Sequence, residues 1–360
     1  MSPLLRTAEV AGMIGLRKKR TPNEITLADF FNKVEIARSL FAQLIGASDP
    51  QQCVVIPSTS YALANAVWNI PLVRGQKVII VDQIFPSNYY CWEKRVKEIG
   101  AEIEIIKSTS PSVSGSWSDL VLNAIDRNTQ VVNISHIHWV DGSLFDLKAI
   151  AEKVHTHGGY LIVDGTQSIG ALPFDLNEIG ADVVFAASYK WLLGPYSIGM
   201  AYYNDRFQNG NPIEESWLNR VGSDDFANLV NYQEGYRKGA LRYEVGEAPN
   251  FILLPMMIAG MQQLLEWSPQ NIQDYCHHIV SDALNNLRSV GYRISNQDMA
   301  YHLFGIRLPK TINIETIKKA LAKENIMVSY RGDAIRVSPS IYNDESDMKA
   351  LEDVLTDLAK

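Results

Sequence analysis

The stretch YLIVDGTQSIG, residues 160–170, runs an apolar segment into Asp164, and DVVFAASYKWLLGP, residues 182–195, runs another toward Lys190. Both runs have strand length and are rich in β-branched and aromatic residues. A charged group at the exit of a buried strand is costly unless something there uses it. Similar apolar runs stand at 52–57 (QCVVIP), 77–82 (KVIIVD), 102–107 (EIEIIK) and 130–137 (QVVNISHI). All six read as strands buried on both faces. Helical patterns separate them at 60–70, 88–100 and 146–158, and an amphipathic helix over 26–46 precedes them. That helix opens on a capping-box-like Thr26/Asp29 pair and closes at Gly46. Alternation of this kind predicts an α/β fold, with a mostly parallel sheet flanked by helices.

The pattern changes after about residue 205. Long helical stretches at 251–267 and 271–290 lead into short strands at 301–309, 326–332 and 334–340, with helices at 313–325 and 344–359. The expected organisation is an N-terminal segment (1–20), a large α/β domain (21–250) and a smaller C-terminal α+β domain (251–360). MSPLLRT at the start reads as polar and loop-like.

With 46% hydrophobic and 20% charged residues the chain has ordinary globular composition, and its net charge of -7 offers no attraction to nucleic acid or anionic lipid. Cys53, Cys91 and Cys276 are too few and too scattered for a disulfide framework or a zinc site. With no membrane-length apolar run and no signal peptide, a cytoplasmic location is expected. HTHGG (155–159) and CHH (276–278) do not converge on one ion, so no metal is expected. His136 reads as a satisfied core histidine. GPYSIG (194–199) lacks the lysine of a P-loop and the spacing of a dinucleotide fingerprint.

Ligands of open α/β sheets bind beyond the carboxyl ends of the strands, where Asp164 and Lys190 both fall. A cationic pyridinium ring needs a carboxylate at its nitrogen, and an aldehyde on that ring needs a lysine for a Schiff base. Pyridoxal 5'-phosphate (PLP) asks for both. Its phosphate would find a cradle at PSTSYALANAV (57–67), where Ser58, Thr59 and Ser60 precede a helix start. Phe85, in DQIFPSNYYCW (82–92), offers a ring to stack on the cofactor.

The ordered set STS, FPSN, DGTQSIG, SYKWLLGP and IRVSPSIYND resembles the class V aminotransferase-like group of fold-type I PLP enzymes. That group includes cysteine desulfurases, selenocysteine lyases, kynureninases and isopenicillin N epimerase-like proteins. The resemblance implies Lys190 as the Schiff-base lysine and Asp164 as partner of the ring nitrogen. It implies Gln167 as donor to the phenolic oxygen and Phe85 as the stacking ring. Thr59, Ser60 and Tyr189 would bind phosphate, with Ser188 a further contributor, and Arg336 would clamp the substrate carboxylate. It also implies a homodimer with an amino acid as its small-molecule substrate.

Three departures narrow the expectation. IMVSYRGDAIRVS (326–338) has no cysteine and turns tightly at Arg331–Gly332–Asp333, so sulfur transfer to an enzyme thiol is not expected. SHIHWVDGS (135–143) puts Trp139, with His138 beside it, on the substrate side, where many members have asparagine. RYEVGEAPN (242–250) carries Glu247 where desulfurases often present Gly-Thr to a partner's phosphate. The expected activity is therefore an aminotransferase or β-eliminating C–S lyase. Epimerase or kynureninase-like hydrolase chemistry is the alternative, and a silent PLP-binding scaffold is the non-enzyme reading.

Overall fold

The computed structural model describes residues 2–107, 116–295, 299–309, 311–331 and 334–359. A seven-stranded sheet is built from β1 (Cys53–Ile56), β2 (Lys77–Val81), β3 (Glu102–Ile106), β4 (Thr129–Ser135), β5 (Tyr160–Asp164), β6 (Val183–Ala187) and β7 (Gly199–Tyr203). Its order is β1-β7-β6-β5-β4-β2-β3. Strands β3, β2, β4, β5 and β6 run parallel. Strand β7 lies antiparallel between β6 and β1. The sheet is thus mixed, and β7, absent from the sequence reading, is the strand that makes it so.

Helices α1 (Arg6–Lys18), α2 (Leu27–Ile45), α3 (Thr59–Asn69), α4 (Pro86–Ile99), α5 (Trp117–Ala124), α6 (Leu147–Thr156) and α7 (Leu176–Ile179) accompany the sheet. Then come α8 (Leu253–Trp267) and α9 (Pro269–Ser289). A three-stranded antiparallel sheet of order β8-β10-β9 follows, from β8 (Phe304–Arg307), β9 (Ser329–Arg331) and β10 (Ala334–Val337), with α10 (Ile314–Lys323) and α11 (Glu345–Ala359). The turn expected after Arg331 falls on residues 332 and 333, outside the described residues.

Local chemistry explains the element ends. The Thr26 backbone N–H donates to Asp29 at 2.8 Å, and Gly46 closes α2 with φ 71°, a left-handed position that suits glycine. Every residue of β4, β5 and β6 is buried, as strands covered on both faces require. Strand β3 departs from that expectation. It is one of the two sheet edges, with Glu102 and Ile105 exposed, and its alternating charges suit an edge facing water.

In the N-terminal segment residues 2–5 lie outside any element, but Arg6–Lys18 forms α1, a helix that the sequence reading did not name. Its buried residues are Ala8, Gly12 and Gly15, a small-residue face that lets its backbone approach α8. Those glycines weaken helix propensity, which is why the sequence pattern hides the helix. A Cβ on Gly15 would lie 1.8 Å from the Phe251 carbonyl oxygen. The two main hydrophobic cores meet along α9: Ile272 and Cys276 belong to the large one, and Ile279 onward to the small one. Gly15→Val should cost about 1–3 kcal/mol through forced displacement of α1. Thermal denaturation checks it; an unchanged Tm would show that this contact does not hold the helix.

Candidate active site

The parallel strands all point their carboxyl ends to one edge of the sheet, and a cavity of about 310 Å³ opens there. Each strand exit supplies part of its wall. Ser58, Thr59 and Ser60 follow β1; Phe85 and Ser87 follow β2; Ser135 ends β4 and Trp139 follows it. Asp164 ends β5, with Thr166 and Gln167 after it, and Tyr189 and Lys190 follow β6. Tyr196, Ser197 and Ile198 enter from the loop before β7, whose reversed direction brings its start to this same edge.

Asp164 is buried. Its Oδ2 accepts from Asn88 Nδ2 at 2.9 Å and its Oδ1 from the Thr166 backbone N–H at 3.0 Å. Asn88 is itself held from behind. Asn133 Nδ2 donates to Asn88 Oδ1 at 3.5 Å, and Trp92 Nε1 donates to Asn133 Oδ1 at 2.8 Å. This buried polar chain orients the carboxylate, since each member satisfies the next. Sequence reasoning quoted Asn88 in FPSN but gave it no role. The available signal was a polar side chain opening a helix beside a buried strand end.

Burial pushes the Lys190 amine down to about 8; Asp164 opposes this, while Arg336 and Arg331 add to it. Its Nζ lies 5.7 Å from the Phe85 ring centroid and 5.6 Å from that of Tyr189. Gln167 accepts from Trp191 Nε1 at 3.3 Å through its amide oxygen, so its –NH2 is the end left to donate. Ser58 caps α3 by accepting from the Tyr61 N–H at 3.2 Å and lies 3.0 Å from the Ser60 hydroxyl. Thr59 and Ser60 begin the helix itself, where unpaired backbone N–H groups attract an anion.

Three expected site residues lie outside the cavity wall. Ser188 is fully buried outside the cavity wall, where its hydroxyl donates to the Pro195 carbonyl and its side chain fills the space beside Gly194. His138 is also outside the wall, stacked on Trp117 with ring centroids 4.9 Å apart and paired with Asp141 at 3.1 Å. Its backbone neighbour Trp139 points the other way and meets Phe85 edge to face at 6.0 Å. Arg336 does not line the cavity itself; its Nη1 donates to the Trp139 carbonyl at 3.3 Å.

His136 lies just beyond β4 against Phe174, with Nδ1 unpaired among the described residues, and burial pushes it down to about 3. His155 pairs with Asp182 and His278 with Glu345. Among the described residues no group of three or more metal-ligating side chains occurs.

The wall therefore has an anion-binding helix start, a carboxylate held by two donors, a lysine with a lowered pKa, and an aromatic ring within 6 Å of that lysine. This donor set fits PLP. The family description Aminotransferase class-V matches residues 24–351. The chain belongs to that family. It is a PLP-dependent enzyme of the transferase or lyase type.

Its relatives include an uncharacterized aminotransferase, YcbU, of Bacillus subtilis (strain 168), 28% identical over 88% of this chain and 81% of that one. A cysteine desulfurase of Escherichia coli O7:K1 (strain IAI39 / ExPEC) is 25% identical over 72% of this chain and 62% of that one. Among solved structures, the cystine C–S lyase C-DES in complex with its product cysteine persulfide has the same fold. It superposes with a TM-score of 0.87 at 18% identity, covering 99% of this chain and 95% of that one. The apo cysteine desulfurase of Thermococcus onnurineus NA1 gives 0.84 at 18% identity, over 99% and 92%. Among the described residues no helix is long and apolar enough to cross a membrane.

A lysine that titrates near pH 8 is about one-tenth free base at pH 7. Capture of PLP by the cofactor-free protein should therefore accelerate about tenfold between pH 7 and pH 9, as followed by borohydride trapping and mass spectrometry. Arg336→Gln should move the midpoint upward, because losing a nearby cation makes the ammonium form less costly. A wild-type midpoint above pH 10 would mean that the amine stands in water.

Proposed function

We propose that this class V enzyme is an aminotransferase or β-eliminating C–S lyase for an amino acid, and not a cysteine desulfurase. The observation that carries the reading is the placement of its cysteines. None of the three lines the cavity. Cys53 is buried in β1, Cys91 is half-buried on α4, and Cys276 is buried in α9 with its Sγ directed to the Pro339 carbonyl at 3.8 Å. Burial raises all three thiols above their ordinary value, Cys276 to about 12. A thiol so placed is a poor sulfur acceptor.

When bound, PLP supplies an aldehyde and a pyridinium ring that takes up the electron pair released at the substrate Cα. Asp164 would keep the ring nitrogen protonated, and Gln167 would donate its –NH2 to the phenolic oxygen. Thr59 and Ser60 would hold the phosphate with help from Ser58 and Tyr189, while Phe85 covers the ring. Lys190 would carry the cofactor and then move the Cα proton, a task that its lowered pKa suits at neutral pH. Arg336 would fix the substrate carboxylate. A substrate with a leaving group on Cβ would be open to its elimination, and one without to transfer of its amino group to a keto-acid acceptor.

We further propose a homodimer. Val10, Met13 and Ile14 on α1 and Val230 and Tyr232 in the loop before α8 are exposed apolar groups in need of cover. The unpaired cysteines suit a reducing, cytoplasmic setting.

A panel of amino acids and cysteine conjugates, followed for keto acid, ammonia and sulfide, tests the reaction. Transamination or release of pyruvate and ammonia is expected. Persulfide trapped on Cys53, Cys91 or Cys276 would overturn the exclusion of desulfurase chemistry. Arg336→Ala should raise KM about tenfold or more through loss of a charge-assisted pair, with a much smaller change in PLP affinity. Equal losses would show that Arg336 serves the cofactor instead.

A further inference from the structure

We propose that Arg331 joins Arg336 in a two-cation receptor, so that the substrate amino acid carries a second acid group on its side chain. This rests on the reading of the cavity as an amino-acid site and names its substrate class.

Strands β9 and β10 pair with Ala334 opposite Arg331 and Arg336 opposite Ser329. Alternation along each strand places both arginines on one face as diagonal neighbours, within reach of one another's long side chains. Both guanidiniums come to a single ring. The Cζ of Arg331 lies 4.9 Å and that of Arg336 5.6 Å from the centroid of Trp139, which lines the cavity. Lys190 senses both charges.

Neither arginine has a carboxylate partner among the described residues. Arg331 Nη1 donates to the Tyr330 carbonyl at 2.7 Å, Arg336 Nη1 donates to the Trp139 carbonyl, and the Nε of each is buried without an acceptor among the described residues. Burial, and after it the Arg331 charge, pushes Arg336 down to about 10. Two half-buried like charges without a counterion among the described residues are costly, and the Trp139 ring offsets only part of that cost. The α-carboxylate of an amino acid accounts for one guanidinium fork. A second anion, three or four bonds away in the same substrate, accounts for the other. An apolar side chain would leave the Arg331 Nε unsatisfied, and a hydroxyl could accept from it but would leave the charge unbalanced.

The test compares L-aspartate, L-glutamate and L-cysteine sulfinate with L-alanine, L-serine and L-cysteine on the holoenzyme, by kcat/KM and by spectral titration of Schiff-base exchange. Calorimetric binding of succinate and glutarate against propionate and butyrate adds a readout independent of turnover. The acidic members should be favoured about ten- to hundredfold, and Arg331→Gln should reduce that ratio to near one, while Arg336→Gln lowers both series. Among the acidic members, the side-chain length that gives the highest kcat/KM identifies the substrate. Equal affinity for monoacids and diacids in the wild-type enzyme would overturn the proposal, whether or not the variants fold. Equal losses for both series in Arg331→Gln would also overturn it, because both arginines would then serve the α-carboxylate. A holoenzyme whose spectrum responds to no amino acid at all would instead sink the underlying functional reading.

Discussion

The molecule depends on keeping two opposite charges partly out of water at one edge of a sheet. An isolated carboxylate or ammonium taken into a protein interior loses several kcal/mol of hydration, so each needs compensation. Asp164 has it from Asn88 and the Thr166 N–H. Lys190 has less: it is held near Asp164, but two arginines oppose its charge, and its pKa falls to about 8. The cost that remains on the lysine brings its amine within reach of neutral pH.

The surroundings serve that arrangement. Strands β4, β5 and β6 are buried throughout, so the residues at their exits are fixed by a close-packed sheet and not by mobile loops. The chain of Trp92, Asn133 and Asn88 carries orientation from the core to the Asp164 carboxylate. On the other wall the His302 Nε2–H donates to the Gln167 carbonyl at 2.7 Å, while Trp191 fixes the Gln167 side chain. The wall of the cavity that carries Asp164, Gln167 and Lys190 thus belongs to the large sheet. The guanidiniums come from β9 and β10 of the small one, and the two units touch at Trp139.

Much of this was written locally. The six strands of the large sheet that are legible in the sequence all exist, because an apolar run of four to seven residues has few other ways to bury itself. The capping box at Thr26 and the hydroxyl cap at Ser58 act through neighbours three residues away and need no tertiary knowledge. What escaped notice depended on distant partners. Helix α1 hides behind glycines that make sense only against Phe251 and Met256 of the α8 region. Strand β7 is a short run whose antiparallel insertion between β6 and β1 has no local mark. Asn88 matters because β5 delivers a carboxylate to it from 76 residues away.

By itself, then, the sequence determined the α/β alternation, the strand ends that carry Asp164 and Lys190, and the hydroxyl-bearing helix start at Ser58, since each follows from periodicity and capping within a few residues. Only the tertiary structure decided that Trp139 enters the cavity while its neighbour His138 turns away to Trp117 and Asp141. The same is true of Ser188, which turns inward to Pro195, and of Arg331, which stands beside Arg336. The physical reason is that composition shows which groups are costly to bury, whereas only the packing of remote segments shows which of them meet.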